Sequence, residues 1–244
     1  MKNNVISGVK CTDCPIQHRA VCSRCDHAEL MLLESMKKYR SFKAGEAIFW
    51  RGDDLTYVAS VIEGVATLEK TMEDGRTQMV GLLLPSDFIG HPGRTRIDFD
   101  VTAASDVVLC CFDRAPFDQL LKDVPHISQR MIELAMDELD AARDWMLLLG
   151  RKTAGEKIAT FVEMVVRRQH FDRKDGMRPD LVLPLSRGDI ANYLGLTVET
   201  VSRQIGKLKS DGILEFIDKR RFRVIDLERL QQATGDDDDG GVIV

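Results

Sequence analysis

The spacing of apolar positions changes period along the chain. Glu29 to about Lys38 places Leu30, Leu33 and Met36 on one side and predicts a short helix. From Ser41 to Phe112 the pattern is short apolar runs cut by turn residues. Ala47-Ile48-Phe49-Trp50 precedes Arg51-Gly52-Asp53-Asp54, and Tyr57–Ile62 precedes Glu63-Gly64. Val65–Leu68, Met79–Leu84 before Pro85, and Val107–Phe112 follow. Regular turns between short runs predict an antiparallel sandwich or barrel. Asp74-Gly75 between two alternating runs is a hairpin signal.

After Pro116 the period lengthens to about 3.6 residues. From Pro125 onward, Ile127, Met131, Leu134, Ala141, Trp145 and Leu148 recur in steps of three and four, with Glu138 filling the gap. This near-heptad seam predicts a two-fold dimerisation helix over residues 125–150. A neighbouring stripe of Arg130, Leu134, Asp137, Ala141, Asp144 and Leu148 contains two acids. On a dimer face, Asp144 would meet its symmetry mate, and the expectation is a homodimer held near its threshold. Gly150–Gly155 reads as a hinge, Glu156–Arg168 as an amphipathic helix, Gln169–Pro179 as a polar loop and Thr234–Val244 as a solvated tail.

Leu185 to Thr197 has the form of the first helix and turn of a helix-turn-helix. Ser186 caps, with Asp189 as its acidic return partner. Ala191 allows close helix approach, and Gly195 permits the tight turn. Thr197 caps a second helix running to about Ser210. Its core face is Val198, Val201, Ile205 and Leu208; Glu199, Ser202, Arg203 and Gly206 share the other face. Glu accepts from a cytosine amino group, Arg forks onto a guanine edge, and Ser takes a base or a phosphate. Glu199, Ser202 and Arg203 lie in the first two turns, where a recognition helix meets base edges. Strands near Glu215–Ile217 and Phe222–Val224, joined through Lys219-Arg220-Arg221, predict a wing for phosphate contact.

Charge supports that division of labour. Residues 1–150 carry a net charge of −6, residues 151–235 a net of +5, and Asp236–Asp239 follow. The basic half is the one expected to meet a polyanion such as double-stranded DNA. No apolar run reaches the roughly 20 residues that span a bilayer, and the N-terminus lacks a secretory apolar stretch. The expectation is a cytoplasmic protein without a membrane partner. Five scattered histidines, His18, His27, His91, His126 and His170, form no acid–base or nucleophile set, so an enzyme is not expected.

The remaining chemistry lies in six cysteines. Cys11-x2-Cys14, seven residues, and Cys22-x2-Cys25 form a cluster in the first 27 residues, and Cys110-Cys111 lie in an apolar run. In a cytosolic chain such clustering points to metal or redox chemistry rather than a structural disulfide. Thiolates suit zinc and iron–sulfur centres alike.

Taken together, a barrel, a long helix and Val198-Glu199-Thr200-Val201-Ser202-Arg203 in a winged helix-turn-helix resemble the Crp/Fnr superfamily of transcription regulators. The resemblance runs from Cys11 to about Leu230. It implies an α+β chain: a cysteine-rich segment (1–27), an antiparallel β-roll like the cyclic-nucleotide-binding barrel (28–124), a dimerisation helix (125–150), a winged helix-turn-helix domain (151–234) and an acidic tail (235–244). The cysteine spacing resembles the oxygen-sensing Fnr/FnrL-type members, whose C-x2-C-x7-C triplet is completed by a later cysteine. The implied ligands of a [4Fe–4S] cluster are Cys11, Cys14, Cys22 and Cys110, with Cys25 and Cys111 as alternates. Adjacent strand residues point to opposite faces, so only one of Cys110 and Cys111 can readily serve. The Glu, Ser and Arg spacing resembles the reader of TTGAT/ATCAA half-sites, giving base contacts to Glu199, Ser202 and Arg203. Such regulators also touch RNA polymerase, for which the Glu73-Asp74-Gly75-Arg76 hairpin is a candidate. Two rival readings keep the fold: a zinc-stabilised regulator, and a cyclic-nucleotide-controlled one using Arg94-Thr95. The latter lacks the Glu expected after Gly90 in Phe88–Arg96.

Overall fold

The apolar runs Tyr57–Ile62 and Val107–Phe112 do not alternate, because both strands are covered on two faces. The computed structural model describes residues 9–91, 93–170 and 180–236. They divide into two units between Met136 and Asp137.

In the first unit, a 3-10 turn at Cys11–Asp13 precedes α1 (His27–Met36). That helix starts two residues before the expected point because Asp26 and Glu29 form a capping box. Eight strands follow: β1 (Lys38–Phe42), β2 (Ala47–Phe49), β3 (Tyr57–Glu63), β4 (Ala66–Thr71), β5 (Thr77–Leu83), β6 (Phe88–Ile89), β7 (Asp100–Ala103) and β8 (Val107–Asp113). They form two antiparallel sheets of order β1-β8-β3-β6 and β2-β7-β4-β5. Ala59, Val61, Leu109 and Cys111 from one sheet share a core with Phe49, Ala66, Val101 and Ala103 from the other. This is the expected roll. Gly64 makes the β3–β4 turn possible: at its φ of +87° a Cβ would stand 2.1 Å from the Asp106 carbonyl oxygen.

The opposite faces of β3 and β8 are also covered. Ile62 and Val108 pack with Ile16 and Ala20 of the cysteine segment in a smaller second core. A helix absent from the sequence reading, α2 (Arg114–Asp123), brings Phe117 against Phe112 and Phe88. Pro116 is its third residue, a position where the missing amide costs no hydrogen bond.

Helix α3 (Pro125–Arg151) is one unbroken element that contains the division between the units, and it gives way to the next helix within the expected hinge Gly150–Gly155. Its first half belongs to the roll, with Ile127 and Met131 buried in that core. In the second unit, α4 (Ala154–His170) precedes β9 (Leu181–Val182), α5 (Arg187–Leu194), α6 (Val198–Ser210), β10 (Leu214–Phe216), β11 (Arg221–Val224) and α7 (Leu227–Gln232). The three short strands form an antiparallel sheet of order β10-β11-β9. Strand β9, which the sequence reading did not include, gives the wing its third member. At the start of the expected tail, Asp236 pairs with Lys152, whose side chain is only 9 % exposed. Residues 237–244 of that tail, and residues 171–179 of the expected loop, lie outside the described residues. Among the described residues no helix is long and apolar enough to cross a membrane.

Candidate sulfur-rich site and nucleic-acid interface

The cysteine segment is held on the roll by polar contacts as well as by the small core. The Cys11 amide donates to Glu34 at 2.8 Å. Lys37, at the end of α1, donates to the Val9 carbonyl at 2.6 Å and stands 3.7 Å from the Cys11 sulfur. Tyr39 also donates to the Val9 carbonyl, at 3.1 Å. On the other side, Glu133 of α3 pairs with Arg24 at 2.7 Å and Arg130 at 3.2 Å. Arg130 donates in turn to the Arg19 carbonyl at 2.9 Å.

Strand geometry separates the two adjacent cysteines. Cys111 faces the interior of the roll, buried beside Tyr57, and burial pushes its thiol up to about 12. Cys110 faces the cysteine segment, packing with Cys14, Cys22 and Tyr39 around the second core. Burial raises the Cys110 thiol well above its ordinary range, and the charges of Cys11, Cys14 and Cys22 raise it further. Burial lifts Cys22 to about 12, again with contributions from Cys14 and Cys11. Cys25 also rises to about 12, by burial first and then by Cys22. The first four sequence-predicted thiols therefore share one neighbourhood, with Cys25 beside it and Cys111 turned away. Among the described residues no group of three or more His, Cys, Asp or Glu side chains is set up to hold a single metal ion.

Two observations bear on whether this donor set suits a metal–sulfur group. Cys11, Cys22 and Cys110 are raised by burial and by neighbouring thiol charges, with Lys37 acting against this at Cys11 and Cys22. Ionising them together therefore calls for added positive charge, which bound metal supplies. In addition, the hydroxyl of Ser60 is buried without a hydrogen-bond partner. Ser60 lies directly across the β3–β8 ladder from Cys110. The donor chemistry fits a sulfur-ligated centre. Ser60 was not among the sequence candidates, although a polar residue inside the apolar run Tyr57–Ile62 was the available signal.

The reading element in the second unit has the expected local chemistry. The Asp189 amide donates to Ser186 Oγ at 3.2 Å, and the Ser186 amide returns a bond to Asp189 at 3.1 Å. Gly195 ends α5 in the left-handed region at φ 62°. Thr197 Oγ1 accepts from the Thr200 amide at 3.2 Å and starts α6. Val201, Ile205 and Leu208 are buried, whereas Val198, expected on the core face, is exposed at the first turn. Glu199, Ser202 and Arg203 are all exposed on the outer face. Hydrogen bonds at the helix start hold the Glu199 carboxyl below its usual range, so it is an acceptor at neutral pH. In the wing turn, Asp218 takes the amides of Arg220 and Arg221 and the Arg221 guanidinium, leaving Lys219 and Arg220 exposed at the tip.

The seam expected on α3 is turned inward. Ile127, Met131 and Leu148 are buried, Leu134 packs against the roll core, and Ala141 is partly buried. Trp145 stacks on Tyr193 of α5 with ring centroids 3.9 Å apart. Asp144 lies on this inward side. Burial raises its carboxyl, followed by the charges of Asp140 and Asp236, against Lys152. Within the chain, the charges that act on it are therefore Asp140, Asp236 and Lys152. The exposed apolar stripe is a different one: Ile132 at 64 %, Met136 at 52 %, Leu139 at 43 % and Met146 at 67 %.

A β-roll bearing a group of thiols and a winged helix-turn-helix with an exposed reading face are the parts of a DNA-binding regulator. A family model described as a cyclic nucleotide-binding domain matches residues 39–124, and one described as a Crp-like helix-turn-helix domain matches residues 156–233. The chain is similar to the transcriptional activator protein FnrL of Cereibacter sphaeroides, 54 % identical over 237 residues covering 96 % of each chain. It is also similar to the nitrogen fixation regulation protein FixK of Bradyrhizobium diazoefficiens, 42 % identical over 221 residues, 89 % of this chain and 92 % of that one. The structure of FixK2 from Bradyrhizobium japonicum aligns with a TM-score of 0.73 at 31 % identity, covering 81 % of this chain and 96 % of that one. The chain belongs to the Crp/Fnr family of transcription regulators and is not an enzyme.

Proposed function

We propose that this chain is an oxygen-responsive transcriptional activator of the Fnr type, acting in the cytoplasm as a homodimer on palindromic TTGAT/ATCAA-type sites. Cys11, Cys14, Cys22 and Cys110 would hold a [4Fe–4S] cluster, with Cys25 in reserve near Cys22. The observation that carries this reading is the convergence of Cys110 with three thiols from the N-terminal segment. The similarity to FnrL supports it. When bound, the cluster supplies an oxygen-labile, electron-accepting and electron-donating centre.

The chain's own residues do the rest. Lys37, Glu34 and Tyr39 orient the segment around Cys11. Arg19, Arg24, Arg130 and Glu133 tie it to α3 beside Ile132, so a change in the segment alters the first exposed apolar residue of that helix. The stripe from Ile132 to Met146 pairs with its symmetry mate and brings two reading helices onto a palindrome. Glu199, Ser202 and Arg203 read bases while Lys219 and Arg220 meet phosphates. The hairpin carrying Glu73 and the Asp74–Arg76 pair is the surface offered to RNA polymerase. The cyclic-nucleotide reading is less well supported, because Arg94 is engaged by Asp98 at the surface.

Anaerobic purification with iron, sulfide and zinc assays tests this function, followed through brief air exposure by the visible spectrum and DNA binding. About four irons and four sulfides per chain are expected, with absorbance and palindrome affinity lost together in air. About one zinc per chain and air-indifferent binding would replace the sensor with a structural metal.

A further inference from the structure

We propose that the Ser60 hydroxyl is a hydrogen-bond donor to the metal–sulfur centre and prolongs its survival in dioxygen. The inference rests on the iron–sulfur reading of the thiol site. Ser60 sits between Ala59 and Val61 in the middle of β3 and is 2 % exposed. A hydroxyl in such a place is ordinarily bonded, since burying it without a partner is costly. Its oxygen has none.

The ladder shows where an acceptor belongs. Ser60 pairs with Cys110 of β8 on one side and with Phe88 of β6 on the other. Directly opposed residues in an antiparallel pair share a face, with Cβ atoms about 4.5–5.5 Å apart. Phe88 offers no side-chain acceptor. The Cys110 side carries Cys14, Cys22 and Tyr39 around a core of Ile16, Ala20, Ile62 and Val108. The Tyr39 hydroxyl is engaged with the Val9 carbonyl, which leaves the sulfurs as the other side-chain acceptors of that group. A serine here is a deliberate departure from the apolar residues on either side of it.

Hydrogen bonds to ligating or bridging sulfur stabilise the more negative state of such a centre. In a one-electron transfer, dioxygen gains an electron and becomes superoxide, and the centre is left with one negative charge fewer. A donor that favours the more negative state slows that loss.

The test compares the full chain with Ser60→Ala and Ser60→Thr, the second of which keeps the hydroxyl. All three are loaded anaerobically, and the decay of the visible absorbance is followed in air-saturated buffer. The cluster-free proteins are melted in parallel. Ser60→Ala should load normally and decay about tenfold faster, the low end for a lost outer-shell partner. Ser60→Thr should decay as the wild type does. Cluster-free Ser60→Ala should melt about 2–4 °C higher, because an unsatisfied buried hydroxyl is gone. Opposite signs in the two measurements distinguish a ligand-facing donor from a packing residue. Equal decay rates for Ser60→Ala and wild type would overturn the proposal, as would a cluster-free variant that melts lower. A wild type that takes up no iron and sulfide overturns both this inference and the reading beneath it, whereas a loaded wild type with an indifferent Ser60→Ala overturns this inference alone.

Discussion

Truncating Leu139 to alanine should weaken the dimer about tenfold without destabilising the chain. Leu139 lies on the outward stripe of α3 and is 43 % exposed in the single protomer. Fully burying a leucine side chain contributes about 1.5–3 kcal/mol, so burying the exposed fraction contributes roughly 0.6–1.3 kcal/mol. Two-fold symmetry doubles this to about 1.3–2.6 kcal/mol, a factor of roughly 8 to 70 in the dissociation constant. The alanine methyl retains part of the contact, which favours the lower end. Sedimentation equilibrium of metal-loaded protein under anaerobic conditions measures the constant. Leu134→Ala is the matched control: its side chain packs against the core of the roll, so its cost should appear as a lower melting temperature. Asp144→Ala should leave the dimer constant unchanged, since Asp144 is half-buried and lies off the exposed stripe of Ile132, Met136, Leu139 and Met146. A dimer indifferent to Leu139→Ala but weakened by Leu134→Ala or strengthened by Asp144→Ala would restore the inward seam as the interface and refute the assignment.

Arg203→Ala should weaken binding to a TTGAT/ATCAA-type duplex by about 1–3 kcal/mol and relax selectivity at one base pair, as measured by titration against single-base variants. Cys110→Ser should abolish iron retention on a desalting column while Cys111→Ser keeps it, because only Cys110 faces the other thiols. Glu133→Ala should leave Arg24 and Arg130 without their shared carboxylate and speed tryptic cleavage after Arg19 or Arg24 several-fold; unchanged cleavage would mean that the apolar contacts alone hold the segment. The Asp218 carboxyl is lowered to about 2 by the Arg221 amide, the Arg221 guanidinium and the Arg220 amide. Its support of the wing turn is therefore complete above the ordinary value of 3.8 and lost as pH falls through about 2. Asp218→Asn should accelerate amide exchange at Arg220 and Arg221 at neutral pH, and wild-type rates would argue that the strands suffice.

The architecture was legible because period and turn chemistry agree along most of the chain. Asp74-Gly75 does form the β4–β5 turn, and Ser186, Asp189, Gly195 and Thr197 each occupy the cap or turn position expected of them. The face of α3 was not legible. Steps of three and four describe any helix that buries one side, whether against its own domain or a second copy. Ile132, Met136, Leu139 and Met146 repeat at compatible spacing, so only the packing of Ile127 and Met131 into the roll decides which stripe remains outside. Helix α2 was hidden by its proline, and β9 is two residues long, too short for a period. At the thiol site, alternation reduced Cys110 and Cys111 to one candidate ligand but left the choice to the family resemblance. The packing of β8, with Ile16 and Ala20 against Val108, puts Cys110 on the side of the cysteine segment.

The two tryptophans occupy contrasting surroundings. Trp50 is 60 % exposed beyond the end of β2, whereas Trp145 is sandwiched face to face with Tyr193. A Trp50→Phe chain thus carries a single tryptophan, on α3 and in contact with the first helix of the reading element. Its emission needs no dye and responds to the ring that Tyr193 presents to it. Stopped-flow traces of that signal against the visible absorbance would time the loss of metal and the response of the DNA-binding unit as two separate clocks in one cuvette.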